Sequence, residues 1–158
     1  MKKVLSLILC LFMLIGSLGT VAFADDTYEF NDARRMISGY LPGASPAELI
    51  VPDTINGEPV LSIFENVFNQ NEALEKVVLP EGMLAVYKKN FSSAPLLTSV
   101  TLPETLIAIG ENVFNSCDSL TEITIPSRVS FIGYAAFGYN TALTSVRFTR
   151  QKSSSPLM

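Results

Sequence analysis

The chain of 158 residues contains no histidine and no tryptophan, and only two cysteines. The absence of histidine removes the commonest general base and the commonest metal ligand in proteins. Basic residues are also few, because 11 Lys and Arg stand against 15 Asp and Glu. An acidic chain without a basic cluster argues against nucleic acid and anionic membranes as partners.

The first 24 residues have the pattern of a secretory signal peptide. Lys2 and Lys3 precede an apolar run at 4–15, and small residues lead to an Ala-Phe-Ala sequence that ends at Ala24. This pattern predicts cleavage after Ala24 and export of a bacterial protein. The alternative is a retained anchor, since residues 4–24 are long enough to cross a bilayer. We expect a secreted or cell-surface protein with no membrane span after cleavage.

Cleavage would leave 134 residues, a length that suits one domain. The loss of two lysines changes the formal charge from −4 to about −6. Only Cys117 remains, so no intrachain disulfide is possible even in an oxidising compartment. Stability must therefore come from packing.

The rest of the chain repeats itself every 23 residues. The pentapeptide Glu-Asn-Val-Phe-Asn occurs at 65–69 and again at 111–115, two periods apart. Five apolar columns keep the same step, which is the signature of a repeat protein. The columns are Phe68/Phe91/Phe114/Phe137, Leu74/Leu97/Leu120/Leu143, Ile63/Val86/Ile109/Ile132, Val77/Val100/Ile123/Val146 and Leu79/Leu102/Ile125/Phe148.

One period predicts a strand, a corner and a turn. In residues 120–126, apolar and polar side chains alternate and a proline ends the run, which is typical of a short strand with one buried face. After Gly133 we expect one short helical turn that carries Phe137 to the core. Because such a unit cannot bury its apolar face alone, neighbouring units must stack, with the phenylalanines in one column.

The pattern L-x-x-V/I-x-L/I-P followed by I-G-x-x-x-F resembles the BspA-like leucine-rich repeats of bacterial surface and secreted proteins. The segments TLPETL (101–106) and IGENVFNSC (109–117) match it closely. The resemblance covers about residues 50–148, and MISGY at 36–40 looks like an opening strand. It implies a leucine-rich-repeat solenoid, β-rich with short helical turns, that binds other molecules, for example as an adhesin.

The repeats depart from the pattern in two places. Five extra residues, 55–59, interrupt the first unit and place Asn56-Gly57 between apolar stretches, which predicts a β-hairpin that we interpret as the N-terminal cap. In a later unit Tyr87 replaces glycine and Asn90 replaces a small apolar residue, so we expect less regular packing there. The predicted organisation is a signal peptide at 1–24, the cap and first strands at 25–63, about four 23-residue repeats at 64–148 and a disordered tail at 149–158.

No group of side chains in the sequence indicates catalysis. Cys117 is a nucleophile in principle, but the equivalent positions hold Asn71, Ala94 and Asn140, and no basic activator is evident. A buried packing cysteine is therefore favoured. We expect a protein that is not an enzyme and that needs no cofactor or metal.

The candidate ligand face is the outward side of the stacked strands. Its residues, strand by strand, are Lys76 and Val78, Ser99 and Thr101, Glu122 and Thr124, and Ser145 and Arg147. Repeat proteins commonly bind on such extended surfaces. The alternative is that hydroxyl residues simply suit exposed strand positions.

Two functions stay open from the sequence. The first is a binding module for an unknown extracellular protein or glycan. The second is an assembly unit that forms a homodimer through its C-terminal edge, where Leu143, Val146 and Phe148 form an apolar strand followed by a polar, serine-rich segment. Solenoids need polar caps, so this edge predicts either self-association or fraying.

Overall fold

Successive periods of the sequence form parallel strands that stack into a solenoid. A computed structural model describes residues 28–40 and 46–150, so the predicted signal peptide and residues 151–158 of the predicted tail lie outside it. The strands are β1 (Tyr28–Asn31), β2 (Met36–Tyr40), β3 (Glu48–Ile50), β4 (Thr54–Ile55), β5 (Glu58–Pro59), β6 (Ser62–Ile63), β7 (Lys76–Val78), β8 (Ala85–Val86), β9 (Ser99–Thr101), β10 (Ala108–Ile109), β11 (Glu122–Ile125), β12 (Phe131–Ile132) and β13 (Ser145–Phe148).

Two ladders of strands form two sides of the solenoid. The first has the order β1-β2-β6-β8-β10-β12 and is parallel except for the β1–β2 pair. The second contains β3-β7-β9 and, separately, β11-β13, all in parallel pairs. From β6 and β7 onward, each pairing within the two ladders joins residues one period apart, such as Ala85 with Ala108, so that the same column of side chains lies in contact from turn to turn.

The third side is formed by turns, where the sequence predicts short helices. That prediction is wrong, since no helix occurs in the part of the chain that the structure describes. Residues in the segments 65–70, 88–93 and 111–116 instead donate hydrogen bonds to the next period, and residues 134–139 accept those of the last of these segments. For example, Asn66 N–H donates to the Lys88 carbonyl at 3.0 Å. A helix would form its backbone hydrogen bonds within one short segment of the chain. Here the backbone donors of one solenoid turn bind carbonyls of the next solenoid turn instead.

Left-handed backbone conformations make this third ladder possible. The residues with positive φ in these turns are Asn66, Gln70, Lys89, Ser93, Asn112, Ser116, Ala135 and Tyr139. Asparagine tolerates this region better than other residues with a Cβ atom. The repeated Glu-Asn-Val-Phe-Asn pentapeptide therefore keeps an asparagine where the backbone turns left-handed and a phenylalanine where the chain enters the core.

The phenylalanine column is stacked along the core, as the sequence predicts. Ring centroids of Phe68, Phe91, Phe114 and Phe137 are separated by 5.8, 5.4 and 5.7 Å, and the planes are inclined by 4°, 18° and 4°. Phe91 and Phe114 are fully buried. Such rings bury a large apolar area, so this column contributes strongly to the stability of the stacked turns.

Asn90 is an ordered part of the core, and the expectation of looser packing in its unit is wrong. Its amide nitrogen donates to the carbonyls of Phe64 at 2.7 Å and Tyr87 at 2.9 Å, and its oxygen accepts from Val67 N–H at 3.1 Å. The side chain is fully buried. The substitutions at 87 and 90 are thus compatible with close packing, because the amide satisfies backbone groups of its own turn and of the preceding turn.

The N-terminal end differs from the sequence interpretation in its cap and in the number of turns. The hairpin β4–β5 forms around Asn56 and Gly57, both at positive φ, as predicted. However, the outer edge of the first ladder is covered by β1, which pairs antiparallel with β2. The strand predicted weakly at 36–40 begins a full turn, so the solenoid has about five turns rather than four.

Substitution of Phe114 by alanine is expected to lower the free energy of unfolding by about 3–5 kcal/mol, because it opens a cavity between two stacked rings. Urea denaturation followed by circular dichroism measures this loss. Tyr134→Ala is the matched control, since Tyr134 is an exposed aromatic residue, and we expect a change within about 0.5 kcal/mol. Equal effects of the two substitutions would contradict the internal position of Phe114.

Substitution of Ala135 by glycine is expected to raise the free energy of unfolding by about 0.5–1 kcal/mol. Ala135 has a φ of 49°, and glycine removes the steric cost of its Cβ atom in that conformation. The neighbouring Ala136→Gly is the control and is expected to destabilise, because Ala136 is buried and lies outside the positive-φ set. The reverse order of stabilities would refute strain at position 135.

Candidate ligand-binding face

The structure brings the predicted face residues together in two groups. In the first group, Lys76 lies beside Ser99 and Val78 beside Thr101. In the second, Glu122 lies beside Ser145 and Thr124 beside Arg147. The two groups belong to separate sheets, so the face is not the continuous four-stranded surface that the repeat pattern predicts.

The first group also includes a strand that the repeat pattern does not place on the face. In β3, Glu48 lies beside Lys76 and Ile50 beside Val78. These residues are 28 positions apart, which is one period plus the five-residue hairpin insertion. Without the five inserted residues the spacing is the 23-residue period, so the sequence contains enough information to place β3 beside β7 on the face.

Charges at both ends of the face are neutralised by neighbours. Lys76 Nζ lies 3.4 Å from Glu48 Oε2, and Arg147 Nη2 lies 3.1 Å from Glu122 Oε2. All four side chains are substantially exposed, so each ion pair adds little stability. The unpaired polar groups of the face are therefore the hydroxyls in its middle.

The face is interrupted by a seam between β9 and β11. In adjacent turns the flanking hydrogen bonds are regular: Thr98 N–H donates to the Glu75 carbonyl at 2.9 Å, and Leu79 N–H donates to the Thr101 carbonyl at 3.0 Å. The two equivalent bonds across the seam, from residue 121 to 98 and from residue 102 to 124, are not formed. Backbone donors and acceptors on both sides are left for solvent or a ligand.

The seam opens a cleft of about 310 Å³. Val100 and Leu102 are partly exposed in it, although the equivalent side chains in the turns before and after are buried. The cleft is lined by Val100, Thr101, Leu102, Glu104, Thr124, Pro126 and Thr149. Thr101 and Thr124 belong to the predicted face, whereas the other lining residues do not.

Thr149 organises the rim of the cleft. Its hydroxyl donates to Glu104 Oε2 at 3.3 Å and accepts from Ser127 N–H at 2.8 Å. The contact with Glu104 spans 45 residues, close to two periods of the repeat. Thr149 stands where the column of Pro80, Pro103 and Pro126 would continue, and this replacement is the sequence signal that marks it.

Cys117 is a packing residue, as the sequence favours. Its thiol is fully buried and donates to the Phe91 carbonyl at 3.2 Å. Asn140, one period later, places its amide on the Phe114 carbonyl in the same way at 2.9 Å. Burial raises the pKa of the Cys117 thiol to about 11, which disfavours the reactive thiolate.

The part of the chain that the structure describes, residues 28–40 and 46–150, has neither a cluster of metal ligands nor a membrane-spanning helix. No three His, Cys, Asp or Glu side chains of this part gather where they could hold a metal ion. It also has no helix of the length and apolar character needed to cross a bilayer. The expectation that the protein needs no metal stays a prediction.

The buried thiol predicts a specific dependence of stability on pH. The folded protein retains the Cys117 proton above the pKa of an unfolded cysteine, about 8.5. This contribution is complete below that pH and is lost as the pH rises through about 11. We expect the free energy of unfolding to fall between pH 8 and 10.5 by about 1–2 kcal/mol more in the wild type than in Cys117→Ala. Urea denaturation at the two pH values measures the difference, and parallel declines would contradict a buried neutral thiol.

Comparisons with known proteins agree with the fold. The profile of the BspA type leucine rich repeat region matches residues 50–155 in six copies. A leucine-rich repeat protein from Bacteroides capillosus is 27% identical, with a TM-score of 0.63 over 84% of this chain and 93% of that one. The leucine-rich repeat protein TpLRR of T. pallidum is 24% identical, with a TM-score of 0.62 over 80% and 71% of the two chains.

A third solved structure, the pneumococcal vaccine antigen PcpA, is 17% identical, with a TM-score of 0.55 over 85% of this chain and 38% of that one. Among the curated proteins none matches. The family profile covers about two thirds of the sequence, including most of the turns of the solenoid. The chain belongs to the BspA-type leucine-rich repeat family.

Proposed function

We propose that the protein is a secreted or cell-surface binding module, in the manner of an adhesin, that holds an extracellular protein or glycan on its strand face. BspA-type proteins are typically found at the bacterial surface or outside the cell, and they are generally not enzymes. The basic start and the Ala-Phe-Ala sequence before residue 25 support export.

The observation that carries this proposal is the state of the polar groups on the face. The charged side chains at each end of the face form an ion pair with a neighbouring side chain, so neither end creates a strong electrostatic field. Ser99, Thr101 and Thr124 are exposed between them, beside the unpaired backbone groups of the seam. An exposed centre with donors and acceptors suits recognition by hydrogen bonding and shape.

A binding screen with matched variants tests this proposal. Residues 25–158 are immobilised and exposed to fibronectin, fibrinogen, laminin, collagen and neutral polysaccharides, with biolayer interferometry as the readout. Ser99→Arg and Thr124→Arg place bulk and charge in the centre of the face and are expected to weaken binding at least about tenfold. Ser130→Arg, exposed beside the first ladder, is expected to bind as the wild type does.

Two outcomes would contradict the proposed role of the face. One is a ligand whose affinity is unchanged in both face variants. The other is a ligand that is lost only in Ser130→Arg, because that result would move the binding surface to the other ladder. Circular dichroism of each variant confirms that the fold is retained.

The last described turn favours a second candidate function, which is self-association. Phe148 is 67% exposed, whereas its counterpart Ile125 is fully buried. Ile132 is 42% exposed, whereas Ile109 is fully buried. Within the part of the chain that the structure describes, β12 and β13 each have one edge without a partner strand. We propose that a second copy of the chain covers this apolar edge, as a homodimer.

Light scattering is expected to show a dimer whose fraction rises with protein concentration, and Val146→Glu is expected to abolish it. Val146 is exposed on β13, so the substitution places a charge in the proposed interface without opening a cavity. If the edge is frayed instead, hydrogen exchange is expected to show little protection from Thr144 onward. A strict monomer with strong protection through Phe148 would contradict both branches.

A further inference from the structure

We infer that the cleft at the seam between β9 and β11 is a binding site for one or two rings of an uncharged saccharide. The inference names a ligand class for the strand face and rests on the binding role proposed above. It is carried by three features of the cleft: its unpaired backbone groups, its lining side chains and its size.

The backbone of the seam offers both a donor and acceptors. By the register of the neighbouring turns, Leu102 N–H would donate to the Thr124 carbonyl, and Thr121 N–H would donate to the Thr98 carbonyl. Neither hydrogen bond forms. Polar backbone groups in folded proteins are nearly always paired, with protein, water or ligand. The seam is the one place between β3 and β13 of the described chain where the second ladder leaves these groups open.

The side chains of the cleft add hydroxyls above an apolar floor. Val100, Leu102 and Pro126 form the apolar part of the lining, and Thr101, Thr124 and Thr149 supply hydroxyl groups. Glu104 adds a carboxylate at the rim, where it already accepts a hydrogen bond from Thr149. The lining thus combines three apolar residues with four polar ones, and small-molecule sites in proteins likewise use placed polar groups to fix the orientation of a ligand on an apolar surface.

The balance of donors and acceptors favours an uncharged polyhydroxylated ligand over an ion. A cation such as a lysine side chain only donates hydrogen bonds, so it would leave Leu102 N–H without an acceptor. An anion would lie close to Glu104 with no basic residue among the lining side chains. A sugar hydroxyl both donates and accepts, and the C–H face of a pyranose ring suits the apolar floor.

The size of the cleft limits the ligand to a short saccharide unit. Its volume of about 310 Å³ lies at the lower end of the range for ligand sites in proteins. Because the cleft is open to solvent at the strand face, a longer glycan would place further rings over Ser99 and Thr101, which are exposed beside it.

A first experiment examines the seam without any ligand. Hydrogen exchange of the full mature chain is expected to show Leu102 N–H exchanging at least about tenfold faster than Leu79 N–H, because only the latter is bonded across its ladder. Equal protection of the two amides would mean that the seam is closed in solution, and would overturn the inference.

A second experiment titrates the ¹⁵N-labelled protein with maltose, cellobiose, lactose and N,N′-diacetylchitobiose, and with the peptide acetyl-Gly-Lys-Gly-amide as the cationic alternative. At least one disaccharide is expected to shift the amides of Leu102, Thr124 and Ser127 saturably. Thr124→Val and Glu104→Gln are expected to weaken that affinity at least about fivefold, because the first removes a hydroxyl from the cleft and the second replaces a charged carboxylate acceptor by a neutral amide. Thr54→Val and Glu72→Gln are the matched controls, since both residues are exposed on other turns.

Each other outcome overturns the inference. These outcomes are no saturable shift with any disaccharide at tens of millimolar, shifts confined to other residues, unchanged affinity in both cleft variants, or binding of the lysine peptide alone. Failure here is separable from failure of the proposed function. If Ser99→Arg weakens capture of a matrix protein while no disaccharide binds, the face is a protein-binding surface and the cleft is not a sugar site.

Discussion

Everything in this structure depends on each turn being covered by the next turn in register. A single turn has a few two- to five-residue strands and cannot bury its apolar side chains alone. The 23-residue step places phenylalanine on phenylalanine and backbone donor on backbone acceptor on each side of the solenoid. Since stability in such arrays is a sum of contacts between neighbours, a fault between two turns affects mainly the contacts on either side of it.

The repeat is irregular at three places, and the structure accommodates each irregularity in a different way. Where Tyr87 replaces a glycine, the buried amide of Asn90 satisfies the carbonyls of the neighbouring backbone. Where an asparagine of another column is replaced by Cys117, the thiol takes over its hydrogen bond to the preceding turn. Between β9 and β11 no side chain fills the gap, and a cleft lined by hydroxyl groups results.

The 23-residue spacing of the apolar columns was sufficient to predict the solenoid, because in a stacked array this spacing determines which residues are in contact. The columns predicted the core, the phenylalanine stack and the residues on the strand face. The prediction of short helices on the third side was wrong, because the spacing of apolar residues does not distinguish a short helix from a ladder of left-handed turns. The positive φ of residues such as Lys89 and Ala135 has no pattern in residue type that reveals it. The seam was missed because the residues of β9 and β11 conform to the repeat, so that nothing in the sequence distinguishes this pair of strands from the paired ones.

The seam also gives the solenoid a direction of easy bending. The turns before and after it are joined by strand pairing between β10 and β12 and by the hydrogen bonds of the third side, such as Asn112 N–H to the Tyr134 carbonyl. Bending that spreads β9 from β11 breaks no backbone hydrogen bond, whereas bending about any other side breaks a paired ladder. The array therefore behaves mechanically as two stiff blocks with a one-sided hinge. A ligand wedged between the blocks would change the curvature of the whole molecule as well as occupy a site on it.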